Sequence, residues 1–183
     1  MNLAELPLRV LLDTTVVQNL LVFGEYIFDN YLTEELGRKL NTLPIHLQDD
    51  IHALRNIFGP VTRSPVIPLI SALSLYELSL TGNSEKRASL LDWGFELLDY
   101  SINVGEYDDR SSNTQHASEF DFLPDKNDRH LVRECIRAKC QALITMDYKT
   151  ILRFRSLIEK EKVTVLSPSE WWAILRPWWS LWV

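Results

Sequence analysis

Short apolar runs alternate along this chain with longer stretches in which apolar residues recur every three or four positions. The first run, Leu8-Arg9-Val10-Leu11-Leu12, is closed by the polar triplet Asp13-Thr14-Thr15, which reads as strand, turn and helix start. Over 16–31 the residues Val17, Leu20, Leu21, Phe23, Tyr26 and Ile27 keep helical spacing, with Gly24 as a weak point. A further helical stretch, 32–58, starts at the N-cap type Thr33 with Glu34 and Glu35 in its first turn, and Pro44 divides it. One glycine and two prolines then mark 59–65 as a loop, before a strand at 66–70 and a helix at 72–80.

Thr81-Gly82-Asn83-Ser84 ends that helix and caps another over 85–98, whose Leu90, Leu91, Phe95 and Leu98 fall on one face. The alternation in 99–104 suggests a short third strand, and the polar composition of 105–121 suggests an exposed loop. A helix over 128–139 precedes a buried strand at 142–145, with Asp147 directly after it. A helix at 149–160 and a last strand at 163–166 follow, and Ser167-Pro168-Ser169-Glu170 signals the start of a short final helix. Strands alternating with helices predict an α/β fold with a parallel sheet covered on both faces. Such sheets bind ligands beyond the carboxyl ends of their strands.

At 183 residues, 46% hydrophobic and 24% charged, the chain reads as a single globular domain spanning 1–183. No apolar run approaches the roughly 20 residues needed to cross a bilayer, so no membrane partner is expected. The N-terminus shows no basic region followed by an apolar one, and a cytoplasmic location follows as the default. Cys135 and Cys140 form no CxxC pair and read as buried reduced thiols, pointing in different directions from one helix. A net charge of −6 argues against a broad nucleic-acid-gripping face, yet a pocket of carboxylates that binds divalent cations is itself a source of negative charge.

Taken singly, Asp13, Asp128 and Asp147 are ordinary N-cap residues. Glu77 differs, because Leu73, Leu75, Tyr76, Leu78 and Leu80 place it in an apolar stretch where a lone carboxylate is costly without a cation. Asp13 and Asp147 each follow a strand, and Glu77 lies in the helix after another, so the topology brings distant acids toward one crevice.

Four segments carry a resemblance: Val10-Leu11-Leu12-Asp13-Thr14-Thr15-Val16, Ile70-Ser71-Ala72-Leu73-Ser74-Leu75-Tyr76-Glu77-Leu78, Asp125-Lys126-Asn127-Asp128, and Leu143-Ile144-Thr145-Met146-Asp147-Tyr148-Lys149. In order and type they resemble the four acidic motifs of PIN-domain nucleases, over about 9–166. The resemblance implies a three-layer PIN-like α/β fold with a central parallel sheet flanked by helices. Asp13, Glu77, Asp128 and Asp147 then match the family's four acids, with Asp125 an alternative or supplementary third ligand. Thr145 matches the hydroxyl residue that helps order the pocket, and Thr15 stands where the family commonly has Asn or Ser.

The implied activity is hydrolysis of single-stranded RNA by a divalent-metal-dependent endoribonuclease, with Mg²⁺ or Mn²⁺ held by hard carboxylate oxygens. Arg129, Lys149 and Arg153 are the basic residues nearest in sequence to the acids, while His130 is left outside the site. Two biological roles are compatible: a toxin with an antitoxin or other protein partner, and a stand-alone RNA-processing nuclease. Self-association stays open. The competing reading is a catalytically weak or inactive PIN-like protein acting as an interaction module. The chain departs from a compact family member in two places. Extra helices in 24–65 suggest a lid or partner surface, and the extension 167–183 holds Trp171, Trp172, Trp178, Trp179 and Trp182, suited to core packing, protein binding or base stacking.

Overall fold

The computed structural model describes residues 5–59, 65–82, 84–105, 120–161 and 163–182. Its centre is a four-stranded, wholly parallel sheet in the order β2-β1-β3-β4: β1 Arg9–Leu12, β2 Ile67–Ile70, β3 Ala142–Ile144 and β4 Thr164–Leu166. The pairing sets Val10 beside Pro68 and Ala142, and Leu143 beside Val165. Pro68 is tolerated because β2 is an edge strand: the neighbouring Ile67 N–H reaches back to the Leu8 carbonyl, and the next position faces away from the ladder.

Side chains alternate across this sheet, as the two-residue period of a strand requires. Val10, Leu12, Ile70, Ala142, Ile144 and Leu166 enter one core; Leu11, Leu69, Leu143 and Val165 enter a second core on the opposite face. Helices α1 Thr14–Val22, α2 Gly24–Phe28, α3 Glu34–Asn41, α4 Ile45–Phe58, α5 Ala72–Ser79, α6 Ser84–Gly105 and α9 Pro168–Leu175 contribute to the first core. Helices α7 Lys126–Arg137 and α8 Arg155–Ile158 cover the second. The result is the expected α/β sheet between helical layers.

The expected breaks fall where local chemistry puts them. Phe23 separates α1 from α2 just before Gly24, Thr33 caps α3 by accepting from the Leu36 N–H, and Pro44 stands at the N-cap of α4. Ser167 and Glu170 form the reciprocal capping box of α9.

Four expectations are corrected. The strand at 99–104 is absent, because α6 runs on to Gly105; with no proline or glycine between Gly94 and Gly105, adding one more helical residue costs less than starting a new element. Helix α7 begins at Lys126 rather than Asp128, since Asp125 takes the N-cap by accepting from the Asn127 N–H. The helix at 149–160 is broken into a turn, a 3-10 segment Leu152–Phe154, the four-residue α8 and a second 3-10 segment Glu159–Glu161. Cys135 and Cys140 do not point apart. Helix α7 ends at Arg137, Lys139 takes a left-handed φ of 53°, and the Cys140 N–H returns to the Cys135 carbonyl, which lays one buried thiol against the other and pushes the Cys135 thiol up.

The helices expected in 24–65 are present and pack against the first core, with 60–64 outside the described residues. Most of the loop expected at 105–121 also lies outside them. The Trp-rich extension folds back on the protein: Trp171 is fully buried with its indole N–H donated to the Pro7 carbonyl, and Trp172, Trp178, Trp179 and Trp182 pack against the same core. Among the described residues no helix is long and apolar enough to cross a membrane.

Candidate functional site

Strand β1 has β2 on one side and β3 on the other, and the connections leave it in both directions. The β1–β3 boundary is therefore the sheet's switch point, where loops diverge and open a crevice beyond the strands' carboxyl ends. Asp13 follows β1 there, and Thr145-Met146-Asp147 follows β3. The two loops are joined at their base by the Asp13 N–H donating to the Ile144 carbonyl at 2.9 Å.

Asp13 occupies the N-cap position of α1 but makes no side-chain cap hydrogen bond. Its Oδ2 instead accepts from the Thr15 hydroxyl at 2.6 Å and the Thr145 hydroxyl at 2.7 Å. Each threonine also accepts a backbone N–H from the β3 loop: Met146 N–H to Thr15 across the switch point, and Asp147 N–H to Thr145 within the loop. The two hydroxyls thus pass orientation from the β3 loop to the Asp13 carboxylate. Burial raises the Asp13 pKa, the Thr15 and Thr145 hydroxyls oppose that rise, and repulsion from Glu77 adds to it.

Glu77, half-buried in α5, is held by two donors. The Thr14 hydroxyl donates to Oε2, and the Asn127 amide donates to Oε1 at 2.8 Å. The expected isolation of this carboxylate in an apolar stretch is thus resolved in part by hydrogen bonds from α1 and α7. Asp147 Oδ1 accepts from the Lys149 and Thr150 N–H groups at 2.9 and 3.0 Å, and the Thr150 hydroxyl donates to Oδ2.

Asp128 lies in the first turn of α7, and its pKa is pushed up to about 6. Burial is the largest cause; the Thr150 hydroxyl opposes it, and repulsion from Asp125, Asp147 and Asp13 adds to it. All four expected acids and Asp125 therefore share one electrostatic neighbourhood, although they come from separate segments of the chain. Asp125 itself is exposed and engaged as the cap of α7.

Thr14, Asn127 and Thr150 were not singled out by sequence reasoning. Thr14 lies inside the polar triplet after β1, Asn127 lies between two candidate acids, and Thr150 stands three residues after Asp147, the spacing at which an Asp receives a hydroxyl and backbone N–H groups. Each was readable as a partner once the acids were grouped. Of the basic residues, Arg129 is committed to its own loop: its guanidinium donates to the Leu123 carbonyl at 2.6 Å and pairs with Asp121 at 3.2 Å. Arg153 lies over the Phe154 ring, and Lys149 is exposed. His130 pairs with Glu134 along α7.

An all-oxygen donor set of this kind fits a hard divalent cation such as Mg²⁺ or Mn²⁺. As the side chains stand, no three Asp, Glu, His or Cys groups among the described residues are close enough to share one ion. Compared with protein-family models, with curated proteins and with solved structures, the chain matches none.

Proposed function

We propose that the protein is a divalent-metal-dependent endoribonuclease that hydrolyses phosphodiester bonds of single-stranded RNA through Asp13, Glu77, Asp128 and Asp147. The observation that carries this reading is the Thr145 hydroxyl, which donates to the Asp13 carboxylate and accepts from the Asp147 backbone across the switch point of the sheet. A fold that needed these acids only as helix caps has no use for that bridge, and Asp13 does not cap its helix.

Bound among these acids, Mg²⁺ or Mn²⁺ would supply Lewis acidity toward the scissile phosphate and a lower pKa for the attacking water. The chain supplies the rest. Asp13, Glu77, Asp128 and Asp147 would hold the ion, with Asp125 at the rim. Thr15 and Thr145 keep the Asp13 carboxylate turned into the crevice, Thr14 and Asn127 set the plane of Glu77, and Thr150 sets that of Asp147. Water adds to phosphorus, the bond to the 3′ oxygen breaks, and the products are a 3′-hydroxyl and a 5′-phosphate. No side chain forms a covalent bond to the substrate. Lys149, exposed two residues beyond Asp147, is the basic group best placed along the chain to meet a phosphate.

An interaction module is the second reading, favoured by Tyr76 and Leu80, which lie one turn apart and exposed on α5, and by exposed Phe95 on α6. One experiment separates the two. Labelled single-stranded RNA is incubated with the protein in Mg²⁺ or Mn²⁺, beside an EDTA control and Asp147→Asn. The enzyme reading expects metal-dependent cleavage that EDTA and Asp147→Asn both abolish; no cleavage across several RNAs would leave the interaction reading in place.

A further inference from the structure

Tyr148 follows Asp147 in the loop after β3, and its hydroxyl leaves the crevice in another direction. It donates to Asp50 Oδ2 at 2.8 Å, while Asp50 Oδ1 accepts from the Ser169 N–H at 2.9 Å. Asp50 is wholly buried in α4, and Ser169 lies in the first turn of α9. The His46 ring, one turn before Asp50, stands edge-on to the Tyr148 ring with centroids 4.5 Å apart. Three segments therefore meet at one phenol: the loop that bears a candidate metal ligand, a helix of the 24–65 region, and the start of the C-terminal helix.

The loop is consequently pinned from both sides. Within the crevice, Thr145 and Thr150 hold the Asp147 backbone and carboxylate. Outside it, Asp50 holds the adjacent residue by accepting from the Tyr148 hydroxyl at 2.8 Å. Packing α4 against α9 does not call for a buried carboxylate, since apolar residues of like size do that at lower cost. What a carboxylate adds is direction: it fixes a donor from each of two other segments at once.

We propose that Asp50 and Tyr148 are positioning residues for Asp147, so that the helices of 24–65 brace the metal site from behind. This rests on the metal-site reading above. A ligand braced in this way keeps its angle without paying to order the loop each time an ion binds.

The test is calorimetric titration of Mn²⁺ into the wild-type protein, Tyr148→Phe, Asp50→Asn and the control Tyr26→Phe, with a thermal melt of each. Tyr26→Phe removes another tyrosine hydrogen bond to α4, the one between the Tyr26 hydroxyl on α2 and His52 Nδ1, away from the Asp147 loop. Tyr148→Phe and Asp50→Asn are expected to weaken Mn²⁺ binding by about ten-fold or more, the usual loss when a ligand's outer partner is removed. Tyr26→Phe is expected to lower the melting temperature without moving the Mn²⁺ affinity. Wild-type affinity in both Tyr148→Phe and Asp50→Asn, beside a wild type that binds normally, overturns the bracing role alone. Equal weakening in Tyr26→Phe also overturns it, by showing general loosening. A wild type that takes up no Mn²⁺ overturns both this inference and the metal site beneath it.

Discussion

Asp13 and Asp50 are both buried aspartates whose carboxyls burial pushes up, yet they sit in opposite kinds of surroundings. Asp13 is held by threonine hydroxyls and faces a second acid, Glu77; Asp50 receives the Tyr148 phenol, the Ser169 N–H and the hydroxyls of Ser167 and Ser169, has its pKa set by burial and these donors rather than by a second acid, and ties three segments together. The hydroxyls around Asp13 are themselves held by backbone of the neighbouring loop, so the carboxylate is aimed as well as satisfied. Burial alone does not mark a functional acid. Asp13 differs in having like-charged company at the carboxyl end of a parallel sheet, the feature on which the proposed function rests.

The comparison breaks most visibly on activity. Asp13→Asn is expected to lower metal-dependent RNA cleavage by at least about a hundred-fold, since losing a ligand exceeds the 10–100-fold losses seen for outer partners. Its melting temperature should equal or exceed that of the wild type, because a buried charge beside Glu77 is removed while the amide oxygen still accepts from Thr15 and Thr145. A parallel fall of activity and melting temperature would place Asp13 in the same structural class as Asp50.

Asp50→Ala is expected to lower stability together with metal binding, where Asp13→Asn spares stability. Removing the carboxylate leaves the Ser169 N–H and the Tyr148 hydroxyl without their acceptor, which costs roughly 1–3 kcal/mol of stability. Urea unfolding measures this directly, and a midpoint equal to that of the wild type would remove Asp50 from the account of what joins α4 to α9. A smaller effect is expected for Thr145→Val, which deletes the hydroxyl shared by Asp13 and the Asp147 N–H: about ten-fold in activity, with substrate KM nearly unmoved.

The smallest effect is one of pH. The Asp50 carboxyl lies above its ordinary value of 3.8 in the folded protein, so the native state binds this proton more tightly than the unfolded chain does. Its contribution to stability is fully present below 3.8 and is lost as pH rises through the folded value. The stability of the wild type relative to Asp50→Asn should therefore be greater near pH 4 than at pH 7, as read from unfolding at the two pH values. A difference independent of pH would contradict the raised value.

Much of this architecture is legible in the sequence, because the signals are local. Thr33, Pro44, Ser71 and the Ser167–Glu170 pair mark helix starts by chemistry that needs no tertiary partner, and the apolar strands alternate between two cores. The errors arise where a local pattern has two solutions. Residues 99–104 alternate like a strand, yet they continue a helix that is already formed. Cys135 and Cys140 diverge on an ideal helix, and only the left-handed turn at Lys139 brings them together.

Asp13 and Asp147 were legible as strand-end residues and Glu77 as a carboxylate in an apolar stretch, whereas their partners became readable only once the acids were grouped. Thr14, Asn127 and Thr150 are ordinary residues until α1, α5, α7 and the β3 loop come into contact. The same holds for Asp50: in sequence it is one of two adjacent aspartates in an amphipathic helix, and nothing local separates it from Asp49. Its role depends on α9, more than a hundred residues later. The tryptophans of the C-terminal extension had three uses open to them; Trp171 is buried in the core with its indole N–H on the Pro7 carbonyl, while Trp172, Trp178, Trp179 and Trp182 pack against that core partly buried.

The central claim is that the acids beyond β1 and β3 form a divalent-metal site, and calorimetric titration of Mn²⁺ into the wild-type protein and Asp13→Asn tests it most directly. The account predicts saturable Mn²⁺ uptake by the wild type and none, or binding weaker by at least about a hundred-fold, by Asp13→Asn at an equal or higher melting temperature. No uptake by the folded wild type, or equal uptake by the two proteins, would contradict it.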